Sequence, residues 1–195
     1  MNYLAHLFLA DHTPESIIGN LLGDFVKGSA KEQYSDSIQK GIALHRQVDF
    51  YTDSHQVVRQ TKKLVSTARR RYAGILLDVF YDHFLAKNWQ EYNQITLKNF
   101  SDQVYRILLS HQEILPNSLQ TFLPKMIESN LLVSYQEIAG IDRALQRIGQ
   151  RLKDKQVLVS SIDELQANYQ EINLSFQTFF PDLVNYVKVK KIDLN

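Results

Sequence analysis

The chain has 195 residues, 44% of them hydrophobic, with 22 Lys and Arg against 21 Asp and Glu for a formal net charge of +1. That length suits a single domain over residues 1–195 with one continuous core, and so even a charge balance gives no general attraction to nucleic acid, so no nucleic-acid partner is expected. The absence of cysteine excludes disulfides, thiol catalysis, iron–sulfur clusters and thiolate-bound zinc, so any metal must rest on His, Asp, Glu or neutral oxygen ligands.

Only 7 Gly and 4 Pro punctuate the sequence, and the long segments between them carry helical rather than alternating periodicity, which predicts an all-α fold. The opening MNYLAHLFLADHTPES is apolar but lacks the basic lead, the length and the small-residue cleavage site of a secretory signal. No stretch approaches the roughly 20 apolar residues that span a bilayer. A cytoplasmic protein with no membrane partner is the expectation. Thr13 and Pro14 supply a cap and a first position for a helix over 14–27, with Gly28 as its stop. Ser35 and Asp36 open a second helix to about 53, and Asp53 or Ser54 caps a third over 55–70. That third segment begins the most basic stretch of the chain, with Arg59, Lys62, Lys63, Arg69, Arg70 and Arg71. Helices over 72–92, 98–112, 117–130 and 134–153 follow, then a last one from Ser160 or Ser161 that Pro181 interrupts.

Three of these helices carry an acid on the face that packing would bury. Asp49 and His45 continue the stripe of Ile38 and Ile42 at spacings of three and four; Asp24 continues that of Ile17 and Leu21; Asp82 continues that of Ile75 and Val79, with Asp78 one turn earlier. A buried carboxylate without a partner shifts its pKa or finds a counter-charge. His6, His45, Arg46 and His83 are too few cations for the acids involved, and a divalent metal would neutralise the cluster. Mixed His and Asp ligands without thiolate suit Mn²⁺, Fe²⁺, Mg²⁺ or Zn²⁺. Taken singly, each acid also reads as a cap or an ion-pair partner, which is the favoured reading for Asp53; Asp11, His12, His55 and His111 read as surface or loop residues, and Arg69 to Arg71 as a solvated helix face. Phosphate-cradling glycine loops, a G-x-S-x-G elbow and an H-E-x-x-H motif are all absent from the sequence.

Four dense motifs, MNYLAHLFLA, GNLLGDFVKG, GIALHRQVDFYTD and LLDVFYDHFLAKNW, stand in an order and spacing that resemble the acyl-carrier-protein phosphodiesterases, also called holo-acyl-carrier-protein hydrolases. SNLLVSYQEIAGIDRALQRIGQRL and LQANYQEINLSFQTFFPDL extend the resemblance more weakly over the rest of the chain. It implies a helical fold that is a variant of the HD-domain metal-dependent phosphohydrolases, and a manganese-dependent cleavage of 4′-phosphopantetheine from a serine of holo acyl carrier protein. Mg²⁺ or Fe²⁺ are the alternative ions. The chain has Asp82-His83 rather than a His-Asp dipeptide, so ligands do not carry over by position from ordinary HD proteins. Within the narrower family the resemblance implies Asp24, His45, Asp82 and His83 as metal ligands, with Asp49 and Asp78 as ligands or as carboxylates orienting ligands or water. Joint coordination by Asp82 and His83 is the least secure part, because they diverge by about 100° on a helix.

Arg46 is a candidate to hold the phosphodiester and equally a surface ion-pair partner. His6 is a candidate acid for the leaving serine oxygen and equally a satisfied core histidine. Asn2 and Asn20 are candidates for orienting hydrogen bonds. Lys27, Arg59, Lys62, Lys63 and Arg69, Arg70 and Arg71 would form a basic rim for an acidic carrier protein. Two rival functions share these residues: a metal phosphohydrolase of small nucleotides or other phosphodiesters, and a non-catalytic helical interaction module.

Overall fold

The computed structural model describes residues 1–154 and 156–194. Among the described residues there is no strand, and no helix is long and apolar enough to cross a membrane. The α-helices in chain order are α1 (Tyr3–Leu9), α2 (Pro14–Leu22), α3 (Asp36–Ser54), α4 (Gln56–Thr61), α5 (Ala73–Lys87), α6 (Trp89–Tyr92), α7 (Leu97–Ser110), α8 (Asn117–Glu128), α9 (Leu131–Ser134), α10 (Ile138–Gly149), α11 (Ile162–Ala167) and α12 (Tyr169–Leu194).

Helix α5 is the axis of the fold. Leu76, Leu77, Val79, Phe80, Tyr81, Phe84, Leu85 and Ala86 are all buried, so it is apolar nearly all round, as a helix enclosed by others must be. α1, α10 and α12 pack against it, and α12 also covers α3 and α4. Phe176, Phe179 and Phe180 of α12 interleave with Tyr81, Phe84 and Phe8 at ring separations of 5.6 to 6.1 Å. This packing carries α12 straight through Pro181, where an interruption was expected. A mid-helix proline costs about 3 kcal/mol, and the fully buried phenylalanines around it outweigh that loss.

Other boundaries differ for identifiable reasons. Thr13 caps α2 as expected, its hydroxyl accepting from Ser16 N at 3.3 Å, but α2 stops at Leu22, where Phe25 N bonds Leu22 O in a tighter three-residue turn. Asp24 therefore lies in a turn rather than on a helix. The expected helix over 55–70 ends at Thr61, with Val65 extended and two 3₁₀ turns following. Ser66 donates its amide (3.0 Å) and its hydroxyl to Glu164, which lies far along the chain, so a long-range partner replaces the next helical bond. The helix expected over 134–153 is shortened to α10, with α9 a separate turn before it, and that over 72–92 is broken at Asn88.

Helix α1 is absent from the sequence reading. Asn2, at its N-cap, makes no side-chain capping bond. Instead the buried Asp82 of α5 accepts from Leu4 N at 2.7 Å and Ala5 N at 3.2 Å, a cap delivered across the core. A four-turn window on the sequence holds no trace of it.

Glu164 also accepts from Arg69 Nη1 at 3.2 Å, fastening the basic 3₁₀ segment to the fold. Burial alone would raise the Glu164 pKa; the Ser66 and Arg69 hydrogen bonds overcome it and hold the carboxyl below its ordinary 4.5. A depressed acid stabilises above its unfolded pKa and loses that contribution as pH falls through the folded one. Glu164→Gln is therefore expected to destabilise the protein by about 1–3 kcal/mol at pH 7. In urea titrations its deficit against wild type should shrink as pH falls below 4.5, and a deficit independent of pH would contradict this role for the ion pair.

Candidate metal centre

The centre begins where α2 crosses α3. Gly19 and Gly41 meet at the crossing, and a Cβ on Gly19 would lie 2.8 Å from Gly41 Cα, so only glycines permit the approach. The close crossing sets the end of α2 against the His45 ring. A Cβ on Gly23 would fall within that ring. His45 Nδ1 donates to Asn20 O at 2.8 Å, so the Asn20 carbonyl fixes which nitrogen carries the proton. A neutral His45 then aims the lone pair of Nε2 at Asp49 Oδ2, 3.2 Å away, and Asp24 Oδ1, 3.7 Å away. A lone pair facing two carboxylates calls for a cation between them, and a histidine anchored through its other nitrogen to a carbonyl is the usual form of a metal ligand.

His6 of α1 completes the floor. Its ring stacks on that of His45 with centroids 3.7 Å apart. His6 Nε2 faces Met1 O and Asp49 Oδ1, each at 3.1 Å, while Nδ1 is buried without a hydrogen-bond partner. Burial, reinforced by the neighbouring His45, pushes its pKa down to about 3, so the ring is neutral and available as a ligand at physiological pH. Asp49 behaves oppositely: burial would raise it, but the His45 and His6 ring nitrogens beside it and the nearby Met1 ammonium together hold it far below the carboxylate range.

Asp78 reaches the same place from α5. The Met1 ammonium lies 2.8 Å from its Oδ1 and 3.4 Å from Asp49 Oδ1. Burial alone would lower the ammonium pKa; Asp78 and Asp49 outweigh it and hold it at about 11. The two imidazoles are 1% and 2% exposed, whereas the side chains of Asp24, Asp49 and Asp78 are 42%, 44% and 32% exposed. The result is a nitrogen floor under a carboxylate rim open to water. One donor atom from each of His6, His45 and Asp49 lies within 4.8 Å of the others, a set of two nitrogens and one oxygen to which Asp24 and Asp78 can add oxygen. These residues fit a first-row divalent ion.

Asp82 and His83, expected as ligands, are placed elsewhere. Both Asp82 oxygens are occupied by the α1 amides, and burial, only partly offset by the Leu4 amide, pushes its pKa up to about 7. His83 points to the other side of α5, where Nδ1 donates to Tyr135 O at 2.8 Å and Nε2 accepts from the Tyr169 hydroxyl at 2.9 Å. Arg46, one residue round from His45, is exposed and donates to Val26 O at 3.2 Å. Asn20 serves through its backbone carbonyl, and Asn2 donates to the Tyr135 hydroxyl. Asp53 pairs with Lys62 at 2.6 Å, in line with its ion-pair reading, and Asp11, read as a surface or loop residue, is exposed and pairs with Lys191 at 2.7 Å.

The basic rim divides. Arg59, Lys62, Lys63, Arg70 and Arg71 line a cleft of about 570 Å³ that runs from Asp53 to Asp78, at the edge of the centre. Arg69 turns away to Glu164 and to the carbonyls of Val157 and Val159, and Lys27 is exposed outside the cleft. Missed by the sequence reading are Tyr3, whose hydroxyl feels the Asp24 charge, and two arginines far along the chain, Arg147 of α10 and Arg151 just beyond it, whose charges act on the same hydroxyl. No local pattern announces them.

A family model described as acyl carrier protein phosphodiesterase matches residues 1–183. The protein of that name from Serratia proteamaculans is 34% identical over 193 residues, covering 98% of this chain and 100% of the relative. Its namesake from Yersinia enterocolitica shows the same identity and coverage. That from Photorhabdus laumondii is 33% identical over 191 residues, covering 97% and 96%. No solved structure gives a significant match.

The contact of Gly23 with the His45 ring makes a direct test. Gly23→Ala is expected to displace the ring, lower stability by about 1–3 kcal/mol as overpacking does, and weaken Mn²⁺ binding by about tenfold or more in calorimetric titration. Gly74→Ala is the control, since its Cβ would meet only Lys62 at an ordinary 3.7 Å; it should leave Mn²⁺ affinity unchanged. Equal Mn²⁺ affinity in wild type and Gly23→Ala would remove His45 from the centre.

Proposed function

The chain belongs to the acyl carrier protein phosphodiesterase family, and we propose that it is a hydrolase that uses the centre described above to release 4′-phosphopantetheine from the serine of holo acyl carrier protein. The observation that carries this reading is the convergence of His6, His45 and Asp49 with Asp24 and Asp78 beside a basic cleft. His6, His45 and Asp49 would hold a divalent ion; the two imidazoles disfavour Mg²⁺ and the carboxylates suit Mn²⁺, with Fe²⁺ the alternative. Such an ion lowers the pKa of bound water and polarises a phosphoryl oxygen.

The chain's own groups do the rest. Asn20 keeps the His45 proton on Nδ1 and so keeps Nε2 free. Asp24, beside His45 Nε2, and Asp78, beside the Met1 ammonium, are the carboxylates that would orient the attacking water and receive its proton. The bond between phosphorus and the serine oxygen breaks, water oxygen joins phosphorus, and a proton passes to the serine, leaving the apo carrier. The cleft of Arg59, Lys62, Lys63, Arg70 and Arg71 presents a positive wall to an acidic carrier on the Asp78 side, where exposed charges chiefly raise the association rate. Arg69, by holding the 3₁₀ segment to Glu164, supports that wall without belonging to it. The same reading places the enzyme in the cytoplasm with its carrier as partner and no membrane.

Mass spectrometry of holo acyl carrier protein incubated with the enzyme and Mn²⁺ is expected to show loss of the whole 4′-phosphopantetheine, abolished by chelator. His45→Gln and Asp49→Asn should each slow release by more than about 100-fold, beyond the usual effect of an outer partner. Lys62→Glu with Lys63→Glu should raise KM at low salt and flatten its salt dependence. An intact carrier beside folded, metal-loaded enzyme would turn the reading towards small phosphodiesters; a folded protein that takes up no Mn²⁺ would favour an interaction module.

A further inference from the structure

On its Asp24 side the centre meets a group of residues that the reaction scheme leaves unused. Tyr3 of α1 stacks on Phe25, the residue after Asp24, at 6.3 Å, and leans on Phe122 of α8 at 6.0 Å. Arg147 of α10 and Arg151 just beyond it place their guanidinium carbons 5.4 and 5.6 Å from the centroid of that same Phe122 ring. The ion pairs among the described residues include Arg69 with Glu164 but neither Arg147 nor Arg151. Burial and Asp24 push the Tyr3 hydroxyl up, and Arg151 and Arg147 pull it back, so this hydroxyl feels both an acid of the centre and two guanidiniums without carboxylate partners. Asn2, donating to Tyr135 at 3.0 Å, closes the back. These side chains enclose a notch of about 10 Å³, room for about one oxygen atom.

Two guanidiniums held against one aromatic ring and unpaired with carboxylates have hydrogen-bond donors to offer an incoming oxyanion. Phosphodiester substrates bring two non-ester oxygens. The centre engages one, and the other needs donors that Arg46, turned to Val26 O, does not supply.

We propose that Tyr3, Arg147 and Arg151 form an oxyanion subsite for a phosphoryl group, receiving the oxygen turned away from the metal centre. The identity of the substrate rests on the phosphodiesterase reading, whereas the capture of a phosphate oxyanion by this notch does not. The notch and the Lys62 and Lys63 cleft share no lining residue, so the cleft is left to the carrier's acidic surface.

The test is calorimetric titration of the Mg²⁺-loaded protein with inorganic phosphate. In the Arg147→Gln, Arg151→Gln double variant, phosphate affinity should fall at least tenfold with Mg²⁺ affinity and thermal midpoint retained; the corresponding double lysine variant should recover part of the loss, as a point charge without the planar fork. Tyr3→Phe, which keeps the ring and its stacking, should weaken phosphate severalfold. Lys98→Gln removes an exposed charge elsewhere and should change nothing. Undiminished phosphate affinity in the double glutamine variant, no phosphate binding by wild type, or loss of phosphate in Lys62→Gln, Lys63→Gln instead would each overturn the proposal. Phosphate binding that depends on both arginines, in an enzyme that leaves holo carrier intact, would keep the subsite and discard the carrier as substrate.

Discussion

The contact between Gly19 and Gly41 is the constraint on which the centre depends. Because neither residue has a side chain, α2 and α3 approach until their backbones touch, and the Asn20 carbonyl comes within hydrogen-bond reach of His45. Any larger residue at the crossing would separate the helices, release the His45 proton from its acceptor and carry Asp24 away from Nε2. The chemistry of the imidazole is thus set by a steric fact one turn away. Gly23 extends the same logic, since its missing side chain is the space that the ring occupies.

Asp82 does for α1 what the glycines do for α2. A seven-residue helix has little stability of its own, and its first amides would be left unpaired in the interior; the Asp82 carboxylate takes two of them. The cost shows in a carboxyl raised to about 7 by burial. The gain is a fixed α1, which lays His6 flat on His45. Four acids that look alike on apolar stripes therefore have two fates. Asp24, Asp49 and Asp78 gather at the mouth of one pit, and Asp82 lies behind them, holding a helix in place.

This division explains what could be read in the sequence. Helical periodicity carried the all-α class, and the spacing of His45 and Asp49 placed them on one face of one helix, which is where they stand. The start of α2 was legible because Thr13 and Pro14 act locally. Helix α1 was not, because its cap comes from 77 or 78 residues away. His83 could not be placed from its neighbour Asp82, because the partners that orient it, the Tyr135 carbonyl after α9 and the Tyr169 hydroxyl of α12, come from later in the chain. Arg69, Arg70 and Arg71 form one run in sequence but part in space once Glu164 captures Arg69. Arg147 and Arg151 gain their meaning only from Phe122 and Tyr3, which three separate stretches of chain bring together.

The central claim is that two imidazoles, His6 and His45, face one cation. Electron spin-echo modulation of the Mn²⁺-loaded protein measures this directly, because nitrogen bound to manganese leaves a characteristic coupling. Coupling from two imidazole nitrogens is expected in wild type, falling to one in His6→Gln and in His45→Gln, and staying at two in His83→Gln. A spectrum without nitrogen coupling, or one that changes on removing His83 and not His45, would contradict the account.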